Sequence, residues 1–116
     1  MPGEARIVAL GAHDGTTVQD ALEGLVTFKA RAPESGGALA VFERELAPAE
    51  AVPEHVHAGQ DEALYVLGGA LRVVLGAHVY AAAAGAFLLI PRGHRAGVLD
   101  PVRRAARMLT VLTPAS

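Results

Sequence analysis

The chain contains no cysteine, which excludes disulfides, thiolate metal sites and cysteine nucleophiles together and leaves the compartment unmarked by redox chemistry. Tryptophan is missing as well, aromatic residues make up 4% of the 116, and lysine occurs once, at Lys29, against nine arginines. With a formal net charge of −2 there is no basic field to hold a nucleic-acid backbone. Arg103, Arg104 and Arg107 form the one basic cluster, and three arginines are more often a solvated edge than a binding patch. No apolar run approaches the ~20 residues of a membrane-spanning helix. The start, Met1-Pro2-Gly3-Glu4-Ala5-Arg6, lacks the basic region and apolar core of a secretory signal. These absences lead us to expect a cytoplasmic protein with neither nucleic acid nor membrane as a partner.

Helical periodicity is largely missing too. What the chain has is 52% apolar residues in short or alternating runs, punctuated by 13 glycines and 7 prolines. That pattern reads as all-β. Strands are expected near Arg6–Leu10, Leu22–Ala30, Ala38–Leu46, Ala51–His57, Glu62–Leu67, Ala70–Leu75, Val79–Ala82, Ala86–Ile90, Gly97–Leu99 and Ala105–Leu112. Breaks fall at Pro33 to Gly37, Gly68-Gly69, Gly76-Ala77 and Pro91-Arg92-Gly93. Ten short strands without a crossover helix fit a double-sheet jelly roll, a double-stranded β-helix that removes most open edges, with residues 1–116 as one domain. Leu67-Gly68-Gly69-Ala70 offers glycine where a two-residue hairpin needs positive φ. Ala81 to Ala84 has helical propensity, but four residues before Gly85 are too few to nucleate a helix, so a strand end and loop are expected.

The chemistry is concentrated in Pro53-Glu54-His55-Val56-His57-Ala58-Gly59-Gln60-Asp61-Glu62. On an extended strand residues i and i+2 share a face, so His55 and His57 point the same way and both imidazoles can reach one ion. The chain then turns and starts a new strand at Glu62, bringing a carboxylate back beside the pair. Two histidines and one carboxylate on one face suit Fe(II), Mn or Zn. Gln60 and Asp61 are both expected in the loop rather than as ligands, with Asp61 alternating to the opposite face from Glu62. If Glu62 faces the interior, Leu64 and Val66 do so too, while Tyr65 and Leu67 face away.

This spacing resembles the first motif of the cupin family, G-x5-H-x-H-x3-4-E-x6-G. His55, His57, Glu62 and Gly69 match it, with Ala49 at the first glycine position. The family's second motif, G-x5-P-x-G-x2-H-x3-N, is matched in its first half by Gly85, Pro91 and Gly93. In the second half Ala96 stands where the family places its last histidine ligand, Asp100 replaces the asparagine, and His94 appears two residues early. His94 and Ala96 have the same parity, so an extended chain after Gly93 lets His94 replace the missing ligand. Alternatively, His94 sits in the Pro91-Arg92-Gly93 turn facing water.

Resemblance to small single-domain cupins implies one divalent ion, Fe, Mn, Ni or Zn, held by His55, His57 and Glu62, joined by His94 if it stands in for the missing ligand, and a homodimer. It also implies a non-haem metal enzyme acting on a small organic molecule, either a dioxygenase or a metal-assisted isomerase or cyclase. The other class in play is a non-catalytic metal- or ligand-binding module, which the loss of histidine at Ala96 favours. Phe42 and Arg44 share a face of their strand. If that face is inward, Arg44 reaches a carboxylate or enolate on the ion in a catalytic role; otherwise a surface pair with Glu43 or Glu45 is expected. Phe28 is a candidate wall residue, with ordinary core the alternative. His13, in a turn-like stretch, and His78, at a hairpin tip, are given no role.

Overall fold

The computed structural model describes residues 4–20, 24–48, 51–101 and 105–115. Ten strands and one helical turn follow in order: β1 (Thr16–Asp20), β2 (Gly24–Ala30), α1 (Ala32–Ser35), β3 (Ala40–Leu46), β4 (Val52–Val56) and β5 (Asp61–Gly68), then β6 (Ala70–Leu75), β7 (His78–Ala83), β8 (Phe87–Ile90), β9 (Arg95–Pro101) and β10 (Ala106–Thr113). They form two antiparallel sheets, one of six strands in the order β1-β2-β3-β10-β5-β8 and one of four in the order β4-β9-β6-β7. This is the expected all-β jelly roll. Among the described residues no helix is long and apolar enough to cross a membrane.

Strict alternation builds the core. On β5, Glu62, Leu64 and Val66 are buried while Tyr65 is exposed; on β3, Phe42, Arg44 and Leu46 are buried. Leu64, Val66, Leu46 and Met108 from the large sheet meet Val52, Leu71, Val73 and Val98 from the small one in one apolar cluster. Each such side chain contributes about 1.5–3 kcal/mol by leaving water. The cluster therefore clamps the two sheets and fixes where their inward polar residues meet.

Three expectations change. The strand expected at Arg6–Leu10 does not form: Arg6 bonds through its backbone to Glu34, and Ile7 is 97% exposed. The edge position belongs instead to Thr16–Asp20, a polar run whose side chains are all exposed and which is a strand because β2 offers it five residues of register. Its own pattern carries no apolar alternation, so only the tertiary neighbour reveals it. Second, Gly68-Gly69 is not a hairpin, because β5 pairs with β8 and β10 whereas β6 pairs with β7 and β9. Gly69, at φ 73°, lets the chain cross between sheets, and a β-carbon there would lie 2.6 Å from the Ala105 carbonyl oxygen. Third, the break at Pro33 to Gly37 contains the single turn α1, with proline in its first turn and left-handed Gly36 closing it. The tip expected at Gly76-Ala77 is present, joining Leu75 and His78 across a two-residue loop. Part of the Leu22–Ala30 expectation, together with Ala49, Arg103 and Arg104, lies outside the described residues.

Candidate metal centre

His55 faces inward because β4 is irregular. Val52 pairs with Val98 and His55 with Ala96, so β4 spends one more residue than β9 between the two pairs. Without that bulge, simple alternation would send Val52 inward and His55 outward. With it both face the interior, as bulges re-aim side chains near sites. Gly97 makes the bulge possible: a β-carbon at this position would sit 2.9 Å from the Val52 carbonyl oxygen and 3.0 Å from the Glu54 nitrogen. Pro53 is tolerated because β4 is an edge strand.

His57 follows β4 directly and is held from behind, its carbonyl accepting a hydrogen bond from the Gly93 N–H at 2.9 Å. Glu62 enters from the other sheet, at the start of β5. The loop between them is fastened by Asp61, which accepts from the Arg92 backbone N–H at 2.9 Å, from Nε at 3.1 Å and from Nη2 at 3.2 Å. The Arg92 side-chain hydrogen bonds, then its backbone N–H, hold the Asp61 carboxyl below the usual carboxylate range. Asp61 thus faces away from Glu62, as the alternation implied; it opens β5 rather than lying in the loop, and it fastens that strand to Arg92.

These restraints bring three donors together. His55 Nε2 lies 3.2 Å from His57 Nε2, and His57 Nε2 lies 3.5 Å from Glu62 Oε1. One ligand atom from each of the three residues falls within 4.8 Å of the others. His55 Nδ1 is 2.9 Å from the Pro53 carbonyl oxygen, which accepts its proton and leaves Nε2 with a lone pair toward the group. Donors bound at about 2.0–2.2 Å to one ion stand roughly 3.0–3.5 Å apart, a range that holds the His55–His57 and His57–Glu62 separations. The cavity bounded by His55, Glu62, Arg44, Leu64, Val73, Ile90 and Ala96 has a volume of about 10 Å³. That is close to the ~10–15 Å³ a single water needs, so this inner cavity behind His55 and Glu62 holds an ion or a water and not an organic molecule.

The remaining site candidates are distributed as follows. Arg44 is on the inner face, buried, with Nη2 3.5 Å from Glu62 Oε2 two strands away on the same sheet, rather than in a surface pairing with Glu43 or Glu45. His94 is exposed in the Pro91 turn, its Nδ1 3.2 Å from the Pro91 carbonyl oxygen, and is not among the clustered donors. The residue facing His55 in register is Ala96, which brings no donor. Phe28 stacks tilted on Phe42, ring centres 5.7 Å apart, with the Arg31 guanidinium 4.8 Å from its ring centre, and does not line the site. His13 and His78 are exposed. Gly97 is the site residue that sequence reasoning passed over, although a glycine inside an apolar run is a known sign of a bulge.

A two-sheet antiparallel barrel with histidines beside one sheet and a carboxylate from the other defines a class of small β-barrels with a candidate metal site between their sheets. The chain belongs to the cupin family: the profile of the Cupin domain matches residues 42–112. Solved structures agree in fold. The polyketide cyclase RemF from Streptomyces resistomycificus superposes with a TM-score of 0.79 at 22% identity, covering 93% of this chain and 80% of that one. KdgF from Halomonas sp. gives 0.76 at 18% identity, with 96% of both chains covered. TT1209 from Thermus thermophilus gives 0.63 at 29% identity, covering 67% of this chain and 74% of that one. No curated protein matches the sequence significantly.

Proposed function

We propose that this protein is a metal-dependent cupin enzyme acting on a small oxygen-bearing organic molecule, with His55, His57 and Glu62 holding one divalent ion. The observation that carries the reading is the convergence of the three donors at 3.2 and 3.5 Å, two of which, His55 and Glu62, also line a small cavity walled by Leu64, Val73 and Ile90. A bound divalent ion supplies Lewis acidity, polarising a carboxylate, enol or diketone oxygen. The chain's own contribution is placement. His57 is 28% exposed in its side chain and marks the solvent side of the site, whereas Glu62 and Arg44 close the inner side. Substrate therefore approaches past His57, and its apolar part rests on the rim of an interior too full to admit it. Polyketide cyclase activity in RemF supports the isomerase or cyclase branch, and the dioxygenase branch shares the same ligand set.

The expected result is turnover of enolisable or catecholic compounds only after Fe(II), Mn(II), Ni(II) or Zn(II) is restored to stripped protein, followed as product formation and O2 uptake. Absence of turnover with every metal overturns the enzyme reading. It leaves the binding-module reading, which the missing donor at Ala96 and the small cavity favour.

The protein is also proposed to be cytoplasmic and a homodimer. The outer face of the large sheet supports the dimer: Tyr65 pairs with Phe87 and Ala63 with Leu89, and Phe87 and Leu89 are each 59% exposed. Leu109 and Val111 continue that apolar face on β10. Light scattering at micromolar concentration is expected to give twice the 11.9 kDa chain mass; a monomer mass removes the proposal.

A further inference from the structure

Glu62 divides its two oxygens between opposite partners. Oε1 faces His57 Nε2 at 3.5 Å, while Oε2 faces Arg44 Nη2 at 3.5 Å. Both members of the second pair are almost wholly buried, Arg44 at 4% and Glu62 at 5% exposure. Register makes this contact deliberate. Glu62 lies opposite Leu112 on β10, whereas Arg44 lies opposite Met108, four residues further along the same strand. The guanidinium therefore reaches diagonally across the inner sheet face to meet the carboxylate, although an aliphatic residue would fill the same space without burying a charge. A buried cation beside a buried anion costs desolvation twice and is weak evidence of a stability device in itself. Its position one carboxylate removed from two convergent imidazoles calls for a different explanation.

We propose that Arg44 is a positioning residue for the metal site: it balances the Glu62 charge before any ion is present and reserves Oε1 for the ion. This rests on the metal reading above. Two consequences follow. In the metal-free protein, Arg44 supplies the compensation that the cation supplies afterwards, so the pocket can stay folded and open to the ion. In the loaded protein, Arg44 still cancels Glu62, and the two histidines bind as neutral ligands. The full double positive charge of the ion is then left uncompensated inside a low-dielectric wall. Such a site selects an anion, and the substrate class is narrowed to molecules that present a carboxylate or enolate oxygen rather than a neutral carbonyl or hydroxyl.

The test measures unfolding temperature with and without Zn(II) for the parent, Arg44→Met, and the paired variant Arg44→Met with Glu62→Gln. Arg44→Met is expected to lower the metal-free midpoint by roughly 10 °C or more, the effect of leaving one partner of a buried pair alone. Zn(II) is expected to raise Arg44→Met by more than it raises the parent, because the ion takes over the compensation. The paired variant, which carries no stranded charge, is expected to recover most of the metal-free loss. If Arg44→Met loses the same amount with and without Zn(II), or the paired variant falls as far as the single one, Arg44 is a space-filler and the proposal fails. A variant too unstable to purify without metal leaves the paired variant to decide. If the parent itself shows no Zn(II)-induced rise, the metal reading fails, while the single-versus-paired comparison still reports whether Arg44 compensates Glu62. For the anion, Co(II)-loaded protein titrated with azide and followed by visible absorption is expected to bind about tenfold or more weakly in Arg44→Met than in the parent. Equal affinities overturn the substrate-class inference.

Discussion

Replacing His55 and His57 together by alanine is expected to take the bound divalent metal from about one ion per chain to a trace. Loss of a hydrogen-bonding partner one step removed from an ion already costs about 10–100-fold in affinity, and two direct ligands cost more than that. Glu62 alone, with one oxygen facing Arg44, cannot hold the ion against buffer. The fold survives this change because both imidazoles are only half-buried and neither belongs to the apolar cluster that joins the sheets. Elemental analysis of protein expressed in metal-supplemented medium reads the outcome directly, with circular dichroism confirming the β structure. His94→Ala serves as the partner experiment. Its side chain is fastened to the Pro91 turn, so metal content is expected to stay at the parental level. Undiminished metal in the double variant refutes the His55–His57–Glu62 assignment, and a tenfold loss in His94→Ala makes that residue a ligand.

The reasons these residues could be found without coordinates, and others not, are physical. His55, His57 and Glu62 lie within eight residues, and the shared face of the two histidines, like the inward alternation of Glu62, Leu64 and Val66, follows from the strand's period of two; the bulge that aims His55 inward and the packing of the two sheets are not local. Arg44 is different. Its parity with Phe42 placed it on a face, but nothing local says that the face is inward or that a residue eighteen positions later waits across β10. Thr16–Asp20 is a strand by virtue of β2, and no pattern within Thr-Thr-Val-Gln-Asp announces it. Gly68-Gly69 carries the composition of a hairpin turn and performs a sheet crossing, since the same positive φ serves both and only the partners of β5 and β6 distinguish them. Local rules reach the identity of the donors; their aim, the charge partner, the edge and the crossing are decided by long-range pairing.

The second large effect is expected at Gly97, which touches no ion. An alanine in a strand ordinarily gains about 0.5–1 kcal/mol over glycine through lost chain entropy, so on propensity alone Gly97→Ala should stabilise. Contact reverses the sign. The new methyl would lie 2.9 Å from the Val52 carbonyl oxygen, 3.0 Å from the Glu54 nitrogen and 3.1 Å from the Glu54 Cα, all backbone atoms that cannot rotate away. β4 must retreat by a few tenths of an ångström or lose its bulge, at a net cost of about 1–3 kcal/mol. If the bulge is lost, His55 returns to the parity that faces away from Glu62, and the ion loses a ligand as well. Thermal unfolding is expected to show a lower midpoint, and competition with a chelator a metal affinity reduced at least about tenfold, in keeping with the loss of correct ligand geometry. Gly59→Ala is the matched comparison, because Gly59 sits in the loop between the same ligands and a β-carbon there meets nothing within 4 Å. It should leave both quantities near the parental values. Equal behaviour of the two alanine variants would show that the close approach of β4 to β9 does not aim His55, and the bulge would lose its place in the account of the site.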